Sequence, residues 1–371
     1  MKSMRSSKNI MSFNKYIYVL ILSLAIGISV NSQDIVIWPS EISFNYESGN
    51  AIDAITIREN YSTAIIVPEY KPESNRNAKF AYIKGQSGIK IKVKFKSNVN
   101  NVNFVVKATV IEGYGIGDIC DIFVSNCDLD NTIFTISLNT TIQEFIGLNT
   151  FKWKWEALAL PINSPYCMIQ CEDVITQHTY YSLFAQPVYP MNIPWTKVLD
   201  YACEWAQGKS TESDLVKYVT IGAFNNIGKH YNPNHSYAYL PNFDLTNFLA
   251  DTSADCQDMS AVVQVFSNAL GSANIKVRSI DMEDYVGFFY KPVHPIGWTP
   301  PVEWTDDDDI VDYWHFHQFG YMNGVYDACI ELVKTNHRIA VDEEINGSYK
   351  NDLLDCCTWQ IDDITFYKYV R

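Results

Sequence analysis

The chain has 371 residues, 47% of them hydrophobic, and 42 acidic residues against 28 basic ones, for a net charge of −14. That balance argues against docking on nucleic acid or on anionic lipid, both of which call for a basic face. The length suits two domains, and the apolar fraction supports packed cores.

Residues 1–33 have the layout of a secretory signal peptide. Lys2, Arg5, Lys8 and Lys15 come first with no acidic residue among them, then Tyr16 to Val30 runs almost unbroken and apolar, and Val30-Asn-Ser32 offers small residues for cleavage. Removing the segment takes four basic residues and no acidic one, which moves the net charge to −18. No later stretch approaches the length of a membrane span, so the expectation is an exported protein, secreted, periplasmic or at the cell surface. In such a compartment most of the nine cysteines are expected to pair. Cys120 with Cys127 would close a hairpin loop, Cys167 with Cys171 a tight turn, and the adjacent Cys356 and Cys357 take separate partners. The odd count leaves one thiol over; setting Cys256 aside leaves eight.

Residues 34–189 have the period of strands. Ile89-Lys-Ile-Lys-Val-Lys-Phe-Lys96 alternates apolar residues with lysines, and Phe151-Lys-Trp-Lys-Trp-Glu156 does the same with aromatics. Asn103–Ile111, Thr132–Leu138 and Thr179–Phe184 are further strands separated by polar turns. Half-buried antiparallel strands at this spacing predict a β-sandwich of immunoglobulin-like type. Gln186–Pro194 carries three prolines and forms the boundary.

From residue 190 to 371 helices come first. Trp195–Gln207 is helical in spacing and ends before Gly208, and Thr211-Glu-Ser-Asp214 caps a second helix running towards Gly228. A third opens at Cys256, with Val262, Val263, Val265, Phe266 and Leu270 in one apolar stripe and Gly271 as its stop. Strands follow at Ile275–Ile280, Val286–Tyr290, Tyr313–Gly320 and Gly324–Val333. The layout is α+β.

Cys256 falls on the first turn of its helix, where unpaired N–H groups and the dipole favour an anion. A thiol so placed is expected to lose its proton more easily and act as a nucleophile. Acyl chemistry also needs a proton carrier, which His315 or His317 supplies from the next strands, and Asp327 beyond the Met322-Asn-Gly324 turn is in reach to orient it. His315-x-His317 is also zinc-ligand spacing, but no third ligand lies nearby, so neither a metal nor a cofactor is expected. Asp306–Asp309 lacks the alternation of a calcium loop and reads as a solvated run. Trp304 and Trp314 lie beside the histidine strand and are candidates to wall a pocket. Asp255 is the expected helix cap, and Asp258 an acceptor for the lead-in loop.

The segment DCQDMSAVVQVFSNALG resembles the nucleophile helix of the transglutaminase-like superfamily, and HQFGYMNGVYDA resembles its His-strand, turn and Asp-strand. CEWAQGKSTESDL through HYNPNHSYAY is similar to its helical lead-in. The likeness spans about Trp195 to Glu331, and Cys256 and His317 stand 61 residues apart. It implies a transglutaminase-like core after the sandwich, with Cys256 as nucleophile, His317 as base and Asp327 as the orienting acid. The short interval between His317 and Asp327 resembles the smaller microbial branch, which includes peptidases and hydrolases as well as crosslinking enzymes. The implied substrate is a protein or peptide amide. The competing expectation is a non-catalytic secreted binding or surface-assembly protein that uses the same core as a scaffold.

Overall fold

A computed structural model describes residues 35–47, 53–129, 131–162, 168–282, 290–298, 314–333, 336–354 and 359–371. The expected signal peptide, the Asp306–Asp309 run, Trp304, most of the strand expected at Val286–Tyr290, Cys167, Cys356 and Cys357 lie outside the described residues. No described helix is long and apolar enough to cross a membrane.

The architecture mixes sheets and helices as an α+β fold. The first half holds β1 (Ile37–Ser43), β2 (Phe80–Ile83), β3 (Lys90–Ser97), β4 (Val102–Gly113), β5 (Ile119–Val124), β6 (Phe134–Ser137), β7 (Gly147–Pro161) and β8 (Val174–Leu183). One sheet orders the short strand Tyr70–Lys71, then β1, β3 and β6, with Arg76–Asn77 outermost. The other runs β2-β8-β7-β4-β5, and its β2–β8 pair is parallel. The two sheets share one core, to which β3 sends Ile91, Val93 and Phe95 while β7 sends Phe151, Trp153 and Trp155. The alternation in sequence is the cause. Each lysine of β3 and β7 is left on the solvent side, where Lys94 pairs with Glu41 and Lys152 with Glu112. The buried indoles keep their hydrogen bonds, Trp153 donating to Gly117 O at 2.8 Å and Trp155 to Thr176 Oγ1 at 2.9 Å. Each ring buried this way contributes roughly 2–3 kcal/mol.

The second half opens with α1 (Thr196–Trp205) and α2 (Glu212–Asn226), then the short α3 (Leu245–Ala250) and α4 (Cys256–Ala269). Its sheet runs β10 (Val293–Pro295), β12 (Val325–Leu332), β11 (Phe316–Tyr321), β9 (Lys276–Met282) and β14 (Trp359–Ile361), with β13 (Arg338–Glu343) also pairing β12. The expected caps and stops hold: the Thr211 side chain accepts from Asp214 N, and Gly271 follows α4 at φ +96°. A single apolar stripe on α4 is not what forms. Nearly every residue of α4 is buried, including Ser260, Gln264, Ser267 and Asn268. Sheet, α1, α2 and the C-terminal segment enclose it, so its polar side chains bond inward: Gln264 with Tyr367 and Asn268 with Ser272 O.

The boundary segment is clamped to the end of α4. Ala185 N donates to Leu270 O and Val188 N to Asn268 O. A Cβ at Gly271 would meet Ala185 backbone at 2.5 Å, which explains why glycine stands there. Tyr181 of β8 and Lys79 both reach Asp200 on α1, at 2.7 and 2.5 Å.

Apart from Cys256, which was expected to stand unpaired, the described cysteines depart from expectation. Cys120, Cys127, Cys171, Cys203, Cys256 and Cys329 are all free thiols. Residues 120 to 127 form no hairpin; most of the interval is the extended strand β5, which carries Cys120 and Cys127 apart. Cys171 is buried in the sandwich core.

Candidate active site

Asp255 caps α4 reciprocally with Asp258. Asp258 N donates to Asp255 Oδ1 at 2.9 Å, and Asp255 N to Asp258 Oδ2 at 3.2 Å. Asp258 Oδ1 also accepts from Tyr237 N at 2.7 Å, which ties the lead-in loop to the helix start. Ser236 Oγ adds a bond to Asp255 Oδ1 at 3.1 Å. Burial raises both carboxyl pKa values above the ordinary range, and for Asp255 the Asp258 charge adds to the effect.

Cys256 follows the cap and is 5% exposed. Its thiol pKa is pushed well up, first by burial and then by the Asp255 carboxylate. A hydrogen bond from the backbone at Gln318 pulls the other way, and the Asp327 and Asp258 charges push up again. The helix start was expected to make this thiol acidic. Burial among three carboxylates outweighs the dipole, whose effect is worth about 1 kcal/mol.

α4 packs on β11, and Gln318, whose backbone favours the thiolate, is the residue that follows His317 on that strand. His317 is fully buried, and its Nε2 lies 2.8 Å from Asp327 Oδ2. The turn at Met322–Gly324 makes this pairing available. β11 and β12 pair antiparallel through Gly320–Tyr326 and Tyr321–Val325, and Asn323 takes the left-handed conformation at φ 62°. A carboxylate only accepts, so Nε2 carries the proton and Nδ1 keeps its lone pair. Nδ1 is buried without a hydrogen-bond partner, so thiol and imidazole are not hydrogen-bonded here. His315 is exposed ahead of the strand and does not take this place.

Asp327 is satisfied from three sides. Besides His317, Tyr349 donates its hydroxyl to Oδ2 at 2.8 Å and Cys329 N donates to Oδ1 at 2.9 Å. Trp314 stacks on the His317 ring, centroids 4.8 Å apart and planes 20° apart, and Tyr290 stacks on Trp314 at 4.3 Å. Beneath them Gln318 Nε2 bridges Ser260 Oγ at 2.8 Å and the Tyr367 hydroxyl at 2.9 Å, and that hydroxyl reaches Gln257 O. Tyr349, Gln318 and Tyr367 were not foreseen. Gln318 had a signal in its place next to His317; the two tyrosines had none, because only tertiary folding brings them in.

At the α4–β11 contact, a Cβ on Gly320 would meet Val263 Cγ1 at 2.6 Å. The absent side chain lets α4 lie close on β11.

The arrangement can take a proton at Nδ1, hold the resulting imidazolium against a buried carboxylate, and place a sulfur nearby. Among the described residues no three His, Cys, Asp or Glu side chains gather as a metal-binding group. The chain matches no known protein-family model and no curated protein.

Proposed function

We propose that this chain is an exported thiol enzyme of the transglutaminase-like type, an immunoglobulin-like sandwich ahead of a transglutaminase-like core, acting on protein or peptide amides. The observation that carries the reading is the buried His317–Asp327 pair, with the second imidazole nitrogen unpaired, on the strand against which α4, the helix that Cys256 opens, is packed. In this mechanism His317 Nδ1 takes the thiol proton as Sγ bonds to the amide carbonyl carbon. Collapse of the tetrahedral adduct breaks the C–N bond, and the imidazolium returns the proton to the departing amine or ammonia. An amine or water then attacks the thioester, loses its proton to His317, and regenerates the thiol. Asp327 holds the tautomer and supports the imidazolium throughout. The backbone N–H of Cys256 at the helix start is the oxyanion donor.

A non-catalytic binding or surface-assembly role is the second reading. It is favoured by a sulfur that is 5% exposed and whose pKa is raised. Labelling with a thiol-directed acyl probe separates the two. The enzyme reading expects reaction at Cys256 in the parent protein and its loss in His317→Ala; an unreactive thiol, or equal labelling of both proteins, leaves the scaffold role. Export is tested by the N-terminus of the mature protein, expected near Gln33.

A further inference from the structure

Three two-residue strands form a sheet separate from the one that carries His317. Ala238–Tyr239 pairs antiparallel with Asn242–Phe243, which pairs parallel with Tyr369–Val370. The register sets Tyr239, Asn242 and Tyr369 in one row and Ala238, Phe243 and Val370 in the next. Opposed residues project to the same face of a sheet and successive ones to opposite faces. The second row is the inner one, since Ala238 and Phe243 are fully buried. The first faces outward, with Tyr239 61% and Tyr369 60% exposed. Two strand spacings, about 10 Å, separate the tyrosine backbones, and the asparagine stands between them.

Asp244 and Arg371 lie two residues beyond Asn242 and Tyr369 and continue this outer face, where Arg371 Nη2 meets Asp244 Oδ2 at 3.5 Å. A cleft of about 490 Å³ is lined by these five residues, with Ser236, Tyr237 and Phe243 completing it. The last three are already engaged. The Ser236 hydroxyl bonds Ala238 O and Asp255, the Tyr237 hydroxyl bonds Asp251, and the Phe243 ring packs on Phe248 and Tyr367. The outer row is not. Among the described residues the side chains of Tyr239, Asn242 and Tyr369 make no hydrogen bond and no ring contact. Arg371 has only the long bond to Asp244, while Asp244 also caps α3 through Asn247.

This set of groups selects a class of ligand. Phenol rings offer flat apolar area with a hydroxyl at the rim. The amide and the guanidinium offer donors and an acceptor in fixed planes. Asp244 offsets Arg371, so the cleft favours no net charge. A concave site of this size takes a small ligand rather than a flat protein face. Strands of two residues leave no edge long enough for an added peptide strand. An uncharged molecule with apolar C–H faces and a rim of hydroxyls meets all of these conditions.

We infer that this cleft is a binding site for a neutral saccharide. The sugar rings pack their C–H faces against Tyr239 and Tyr369, and Asn242 and Arg371 hydrogen-bond their hydroxyls. The saccharide is either free or carried as a glycan on a protein. The site does not depend on the chemistry proposed for Cys256, and its binding is measurable on Cys256→Ala protein.

The test is calorimetric titration of the full chain with cellotriose, maltotriose, mannotriose and triacetylchitotriose at neutral pH. Saturable binding of at least one is expected. Its affinity should fall about tenfold in Tyr239→Ala or Tyr369→Ala and stay nearly unchanged in the matching phenylalanine variants, which keep the ring. Asn242→Ala should also lose about tenfold. Thermal melts check that each variant folds. A high-mannose glycoprotein, intact and after enzymatic removal of its glycans, distinguishes the sources. Binding of a trisaccharide alone assigns a free saccharide, and glycoprotein binding that is lost with the glycans assigns a protein-borne one. No binding of any of these probes, or unchanged affinity when Tyr239→Ala and Tyr369→Ala are combined, overturns the inference. So does glycoprotein binding that survives deglycosylation with no trisaccharide bound, which marks a polypeptide ligand instead.

Discussion

Tyr349 donates its hydroxyl to the same Asp327 oxygen that holds His317, each at 2.8 Å. The carboxylate is fully buried, so each donor to it counts for more than at a surface. Tyr349→Phe removes one donor and leaves the ring. Stability is expected to fall by about 1.5–3 kcal/mol in urea denaturation. Asp327→Asn is expected to lower turnover by about 10²–10⁴, because the amide can hold the wrong imidazole tautomer. A turnover unchanged in Asp327→Asn removes that residue from the mechanism.

The raised thiol pKa gives a pH profile. Cys256 is neutral at pH 7 in the free protein, since burial first and Asp255 next disfavour the thiolate. Its alkylation rate by iodoacetamide is expected to climb with pH through the ordinary thiol range and beyond pH 9. A rate flat between about pH 5 and 8 would instead mark a standing thiolate–imidazolium pair.

Asp255 both caps α4 and opposes the thiolate, and two substitutions separate these roles. Asp255→Asn keeps a capping side chain and removes the charge, so alkylation at pH 8 should quicken with little change in stability. Asp255→Ala also loses the cap, at a cost of about 0.5–2 kcal/mol. Slower alkylation in Asp255→Asn would mean that the charge supports the thiol in some other way.

His178 sets an acid limit on the sandwich. It lies among Phe44, Phe151 and Trp153, and burial lowers its pKa to about 3. The unfolded chain takes up this proton near pH 6.5 and the folded one does not until about pH 3. The stabilising contribution is therefore present above pH 6.5 and is lost as pH falls through that window, on the order of a few kcal/mol in all. His178→Phe should flatten this limb when urea midpoints at pH 7 and pH 4 are compared. Parallel losses in variant and parent would assign the acid sensitivity to other groups.

Gly320→Ala places a methyl against Val263 and is expected to cost about 1–3 kcal/mol while lowering the reactivity of Cys256. Val263→Ala in the same chain makes room and should restore part of both. Failure of the pair to couple in a double-mutant cycle would show that this contact does not set the distance between helix and strand.

The strands of the sandwich were legible because each has one wet face, so period two is written into Lys90–Ser97 and Phe151–Glu156. The caps Thr211 and Asp255 were legible because capping is local. β12 was harder: all of its residues but Glu331 are buried, which erases alternation. The burial of α4 and the reversal of the thiol's acidity were hidden for a related reason. They depend on what surrounds the helix, and two of those neighbours, Gln318 and Tyr367, are separated from Cys256 by long stretches of chain. The pairing of His317 with Asp327 was readable because one short turn joins their strands. The pairing of Cys120 with Cys127 failed because spacing says nothing of whether the intervening chain turns back or runs straight.

Tyr367 is among the last residues of the sequence, yet its backbone and hydroxyl fasten to Gln264, Gln257 and Gln318 around the head of α4. A ribosome that has already made the thiol, the imidazole and the carboxylate must still add forty more residues before this brace exists. The arrangement is thus timed as well as shaped, and a nascent or clipped chain lacking that tyrosine carries Cys256, His317 and Asp327 without the bonds that tie α4 to Gln318.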